Sequence, residues 1–202
     1  MCSKIIVMMH TPAERFRGTV VATFSLSFVL LAGTAGLSAQ TTSMRIVHVS
    51  VTDSLQRFVT GLDQDHFELV EAGSRRVITN FSGTDSPIAI AIVSDAPVPA
   101  VSKFNGPEDE LIQTKSLSDA LRQLSASRTP RKALVITTAT PASQVIPSGI
   151  PIARVDPANV LKAVVELRNQ YLLQFESPAP SATLQIVLNA PRGLPVLKLH
   201  WN

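Results

Sequence analysis

A chain of 202 residues, 45% hydrophobic and 16% charged, falls among globular proteins and outside the disordered, collagen-like and disulfide-rich classes. Its formal net charge is +3, and its densest basic groups are only Arg75-Arg76 and Arg128 with Arg131-Lys132. A nucleic-acid partner needs a basic face or run, so none is expected.

The amino end carries Arg15 and Arg17, then an apolar stretch over residues 19–31, then small residues up to Ala39 before Gln40. Positive, apolar and small-polar segments in that order predict a cleavable secretory signal over residues 1–39, cut after Ala39 or, as second choice, Ala35. The expected location is periplasmic or extracellular. The alternative is an uncleaved anchor, because the weakly apolar tract nearly reaches the roughly 20 residues that span hydrocarbon. Membrane contact is expected through this segment alone.

Three of the eighteen basic residues (Lys4, Arg15, Arg17) and one of the fifteen acidic residues (Glu14) fall in the signal, leaving 15 against 14. Cys2, the one cysteine, would leave with it. A mature chain without thiols has no disulfide, zinc-thiolate site or cysteine nucleophile, so its stability comes from its core.

Next, Val47, Val49 and Val51 alternate with His48, Ser50 and Thr52, the period of a strand with one buried face. His48 is therefore expected to point away from the valines as a partly exposed structural residue. Phe67 and Leu69 form one strand face and Val77, Thr79 and Phe81 another, with Glu71-Ala72-Gly73-Ser74 between them as a hairpin connection. Residues 40–86 are thus predicted as a small antiparallel β unit.

Residues 88–93 and 133–136 are continuous apolar runs, the pattern of parallel strands covered on both faces. Between them, Ser116 followed by Leu117, Ala120, Leu121 and Leu124 predicts a capped helix, and residues 95–115 a linker. A short strand at 150–155 precedes Asp156-Pro157, a cap and first-turn proline for a helix over 158–169. Residues 87–170 are read as βαβ units. Residues 171–202 return to β, with strands at 171–175, 183–188 and 194–201 expected to pack on the α/β core.

Several short segments, in order, resemble a family: Val49-Ser-Val-Thr-Asp53, Val59-Thr-Gly-Leu62, Asp65-His-Phe67, Glu71-Ala-Gly73 and Ile78-Thr-Asn-Phe81. They resemble the VWFA-related exported proteins of Acidobacteria, in which such a β segment precedes a von Willebrand factor A-like α/β domain and closing strands. The resemblance implies an α/β fold, α+β overall, with a Rossmann-like core that is shortened here, since only about 80 residues separate Ile88 from Asn169. It also implies a metal-ion-dependent adhesion site, built from Asp-x-Ser-x-Ser after the first core strand plus a later Thr and Asp. Here that stretch reads Asp95-Ala96-Pro97-Val98-Pro99, and the later region Thr137-Thr138-Ala139-Thr140. Asp95 is the residual metal candidate. Prolines offer no side-chain oxygen to a hard cation, so a degenerate site and no cofactor are expected.

Other constellations fall short as well. Asp63-Gln-Asp65-His-Phe-Glu68 lacks the glycine and the bidentate Glu of a calcium loop. No G-x-S-x-G elbow occurs, His48, His66 and His200 lie far apart, and the glycines do not cluster into a phosphate loop. Glu108-Asp109-Glu110 reads as a solvated loop. No catalytic residue is assigned. The expectation is an exported, non-catalytic module that binds a protein or associates with the envelope. The alternatives are a structural remnant without a ligand and a hydrolase with a dispersed site.

Overall fold

The computed structural model describes residues 4–8, 42–98, 101, 106–137, 146–147, 149–179, 181–189 and 197–201. Of the predicted signal only Lys4–Met8 belongs to these, and both expected cut sites lie outside them. The fold is mixed α/β, with antiparallel and parallel sheets and two α-helices among the described residues.

Chain order is β1 (Lys4–Met8), β2 (Ser43–Thr52), β3 (Phe67–Glu71), β4 (Ser74–Arg76) and β5 (Ile78–Ser82). There follow β6 (Ile88–Val93), β7 (Glu110–Thr114), α1 (Leu117–Ala126), β8 (Arg131–Ile136), β9 (Ile152–Arg154) and α2 (Val160–Arg168). The chain closes with β10 (Gln170–Ser177), β11 (Leu184–Asn189) and β12 (Lys198–Trp201). Two antiparallel sheets, β1-β11-β3-β4 and β12-β2-β10-β5, enclose one core, and a parallel sheet, β7-β6-β8-β9, stands beside them.

The antiparallel sheets form a sandwich because their inner faces alternate. Val47, Val49 and Val51 of β2 and Tyr171, Leu173 and Phe175 of β10 meet Phe67, Leu69, Leu184, Ile186 and Leu188 of the opposite sheet. Tyr171 keeps its hydroxyl satisfied inside that core: it donates to the Val59 carbonyl at 2.8 Å and accepts from Leu62 N at 3.2 Å. Burial raises its pKa above the ordinary phenol value. Glu71, fully buried at the rim, accepts from Arg45 at 3.0 Å, Arg76 at 3.2 Å and the Ser177 hydroxyl at 2.7 Å.

The parallel sheet is covered on both sides, as its continuous apolar strands require. Ile88, Ile90, Ile92, Ala133 and Val135 pack under α2, and Ala89, Ala91, Val93, Leu134 and Ile136 under α1. Ser116 caps α1, accepting from Asp119 N at 3.4 Å.

Several expectations are corrected. The strands of residues 171–202 do not form their sheets with the α/β core: β10 pairs with β2 and β5, β11 with β3, and β12 with β2. The α/β part is thus an insert between β5 and β10. The hairpin closes on β4 and not on residues 77–81. Its turn uses Ala72 at φ 49° and Gly73 at φ 78°, after which Val77, 78% exposed, breaks the strand and β5 crosses to the other sheet. Ile78, not Val77 or Thr79, then faces the core. The expected linker contains β7, an edge strand. Pro157 opens a 3-10 turn, Pro157–Asn159, and α2 follows it.

Asp109, read as part of a solvated loop, instead belongs to the junction between insert and sandwich. It accepts from Ile88 N at 3.0 Å, Gly106 N at 2.7 Å and Arg168 Nε at 2.7 Å. Arg168 also donates to the Thr84 carbonyl. Arg131, a member of one of the densest basic groups in the sequence, is buried at the start of β8. Its guanidinium donates to the carbonyls of Gly83 and Ser86, on the way from β5 to β6, and of Leu167 and Arg168, at the end of α2. A cation there satisfies carbonyls the helix leaves unpaired. Burial brings Arg131 down to about 10, still protonated at neutral pH.

Candidate functional site

Asp95 lies on an exposed turn just past β6. The Ser94 hydroxyl beside it donates to the Ala96 carbonyl at 2.8 Å, and the Thr137 hydroxyl donates to the Val93 carbonyl at 3.2 Å. Both hydroxyls give their protons to main-chain carbonyls, and Pro97 has no side-chain oxygen to add. Pro99 and residues 138–140 lie outside the described residues. Among the described residues no group of three His, Cys, Asp or Glu side chains could hold a metal ion. One exposed carboxylate flanked by prolines does not fit a hard cation.

The other sequence candidates are likewise dispersed. Asp63 and His66 hold a 3-10 turn, Gln64–His66, in a mutual capping arrangement, and Glu68 lies 3.9 Å from Arg75. His48 and His200 share one sheet face, because His200 pairs with Ser50 on β2, while His66 stays in its turn.

That shared face is the outer side of β12-β2-β10-β5, and it meets the insert. His48 indeed points away from the valines, but it is only 8% exposed, and its Nε2 donates to the Gly149 carbonyl at 3.0 Å. Burial is the main reason its pKa falls below the usual imidazole value; the hydrogen bond opposes the shift and Arg131 adds to it. Gly149 is needed for this approach: its φ is +88°, and a Cβ there would sit 2.8 Å from Ile46 Cδ1.

Farther along β2 the two parts diverge and leave a cleft of about 730 Å³. Its sheet side is a cross-strand row, with Ser50 of β2 directly opposite Gln170 of β10 on one side and His200 of β12 on the other. Thr52, two residues beyond Ser50, extends the same face, and an isolated bridge from Thr52 brings in Phe58. The opposite wall is α2, with Val165 inside and Lys162 and Glu166 at the rim, 3.9 Å apart.

Two atoms set this cleft apart. Thr52 Oγ1 and Gln170 Oε1 are buried and have no hydrogen-bond partner among the described residues, although Thr52 is only 6% and Gln170 8% exposed. Buried polar groups are nearly always paired, so the two stand out, but with essentially no accessible surface they lie within the wall of the cleft and not open to it. Lys162 and Glu166 also line a second hollow of about 560 Å³ at the carboxyl ends of β8 and β9, with Thr137, Arg154 and Asp156.

The polar residues of β2 were visible in the sequence as an alternating face, but that pattern assigns them to solvent. What turns them into a site is the insert above them. Comparisons with protein-family models, curated proteins and solved structures found no match for this chain.

Proposed function

We propose that this chain is an exported, non-catalytic binding module of the cell envelope. In this reading it is a trimmed relative of the VWFA-related proteins, its insert is a shortened von Willebrand A-like core, and it engages its partner through the cleft between sandwich and insert. The observation that carries the reading is the cleft of about 730 Å³ between sheet and α2, lined by Ser50, Gln170 and His200 on the sheet side and by Lys162 and Glu166 on the helix side. Cavities of roughly 300–1,000 Å³ with a few convergent polar groups are the usual form of a ligand site. The residue order of the first 39 positions supports export, and the prolines around Asp95 support loss of the cation site.

Sedimentation with isolated envelopes tests this. Wild type is expected to be retained and Asp95→Ala to be retained equally, while Ser50→Trp, which fills the cleft, is released into the supernatant. Retention that chelators and Asp95→Ala abolish, with Ser50→Trp unaffected, would sink the proposal. Edman sequencing of the exported protein is expected to begin at Gln40, a cut that removes β1 and leaves β11 as the edge strand of its sheet.

A further inference from the structure

We infer that the proposed cut after Ala39 opens a strand-acceptor slot along β11, and that an extended, apolar segment of a partner protein fills it as β1 does. This rests on the reading of residues 1–39 as a signal and adds a second contact surface to the cleft. β1 is the outermost strand of β1-β11-β3-β4. It pairs antiparallel with β11 over its whole length, from Lys4 opposite Asn189 to Met8 opposite Gln185, with no shift of register. All of β1 falls in the segment that the cut removes, so the processed chain keeps the place and loses the strand.

The edge so exposed is unlike the others. Free edges are ordinarily blunted by charge, proline, shortness or a bulge. Among the described residues, β4 carries Arg75 and Arg76, β7 Glu110 and β12 Lys198, and β9 is a short strand ending in Arg154. β5 breaks register against β10. β11, Leu184–Asn189, has no charge and no proline, and it pairs with β3 without a shift. Losing β1 leaves one row of its N–H and C=O groups without strand partners. It also brings Leu184, Ile186 and Leu188 of the sandwich core to the margin, with Val187 buried on the other face of the strand. An added strand restores main-chain hydrogen bonds and apolar burial together.

The slot takes one strand. β1 touches β12 of the facing sheet as well as β11. A second copy docking by its own sheet edge would bring its facing sheet into the space of β12, whereas a single extended segment would not. The register sets the chemistry of that segment. Ile5, Ile6 and Val7 stand opposite Leu188, Val187 and Ile186, so the occupant presents three consecutive apolar residues, antiparallel to β11.

Amide-resolved NMR of the ¹⁵N-labelled processed protein, titrated with a synthetic peptide of residues 3–9, tests this. Saturable movement of the Gln185–Asn189 amides is expected. A nitroxide on the amino end of the peptide is expected to broaden Asn189 more than Gln185, as the antiparallel register requires. A peptide carrying Ile5→Pro and Ile6→Pro, one of which must turn its missing N–H toward β11, is expected to bind at least about tenfold more weakly. The unprocessed full chain, whose own β1 holds the place, is expected not to respond. Silent β11 amides, equal binding of the proline peptide or an equal response from the full chain would overturn the inference. So would β11 shifts that follow protein concentration and ignore the peptide, which would make the occupant a second copy. A processed chain that begins at Gln40 and ignores the peptide sinks the strand slot alone. An exported chain that still carries residues 4–8 sinks the cut after Ala39 along with it.

Discussion

The sandwich and the insert obtain their cores by opposite routes. Sandwich strands pair across most of the chain, with Ser43 opposite Ser177 and Phe67 opposite Leu188, whereas the insert joins β6, β7 and β8 within one stretch of sequence. The sandwich hides one face of each strand and shows alternation; the insert hides both and shows continuous apolar runs. Alternation reveals which residues share a face but not what that face meets. The outer face of β2 is the instance: its polar residues adjoin a second folded unit rather than bulk water.

The largest effect separating the two regions is expected at Glu71. Its carboxylate holds Arg45, Arg76 and Ser177, all three of them residues of the sandwich. Glu71→Ala strands those partners and is expected to cost about 3 kcal/mol in denaturant unfolding, since breaking a buried charge network leaves uncompensated groups. Hydrogen exchange in β3 and β10 should accelerate before that in β6 and β8; the reverse order would show that the insert depends on this network.

Arg131→Lys tests the seam. A lysine cannot reach carbonyls on both the 83–86 segment and the end of α2, so about 2 kcal/mol is expected to be lost as buried acceptors go unpaired. One cooperative transition is expected to split into two, with β6 and β8 amides exchanging ahead of β2 and β10. A single unaltered transition would mean that the seam is held elsewhere.

Acid provides a gentler probe. The folded-state pKa of His48 lies below its unfolded value, so the unfolded chain binds the proton more readily. The contribution of neutral His48 is complete above about pH 6.5 and is lost as pH falls through the depressed folded value, with a slope of at most about 1.4 kcal/mol per pH unit. Asp53, held below the ordinary carboxylate range chiefly by the Arg57 backbone N–H, adds a loss in the same direction at still lower pH. In His48→Gln the pH dependence just below pH 6.5 is expected to flatten, which urea midpoints measured downward from that pH would show.

The smallest expected effect is confined to the sandwich. Ala72 occupies left-handed backbone at φ 49°, where Asn is tolerated better, so Ala72→Asn is expected to gain somewhat less than 1 kcal/mol by thermal melting. No gain would indicate that the turn relaxes at no cost.

The two regions also differ in what their residues disclosed. The apolar runs at 88–93 and 133–136, the Ser116 cap and the β2 valines predicted their elements because each signal is local. β7 escaped because Glu110–Thr114 is an edge strand with a mixed pattern and lacks the full apolar run of its neighbour. Arg131 escaped because a charge beside Lys132 reads as surface, and its carbonyl partners come from two distant segments. The cleft escaped for the same reason. Ser50, Thr52 and Gln170 carry no motif, and only strand pairing and the docking of α2 across the sheet bring them to one cleft. Asp95 was conspicuous in sequence, yet among the described residues it joins no group of three His, Cys, Asp or Glu side chains that could hold a metal ion.

The chain leaves the sandwich at the end of β5 and returns at the start of β10, and these two strands are hydrogen-bonded neighbours, with Ser82 opposite Leu172. Departure and return therefore sit side by side on one sheet. Whatever is threaded between them draws no slack from the sandwich and puts no tension on it, and lengthening such an excursion costs only a logarithmic entropy. The α/β part behaves as a graft on an intact stock: a change in its strands and helices leaves the host's own pairings in place and falls on the seam of Arg131 and His48 and on the shape of the cleft.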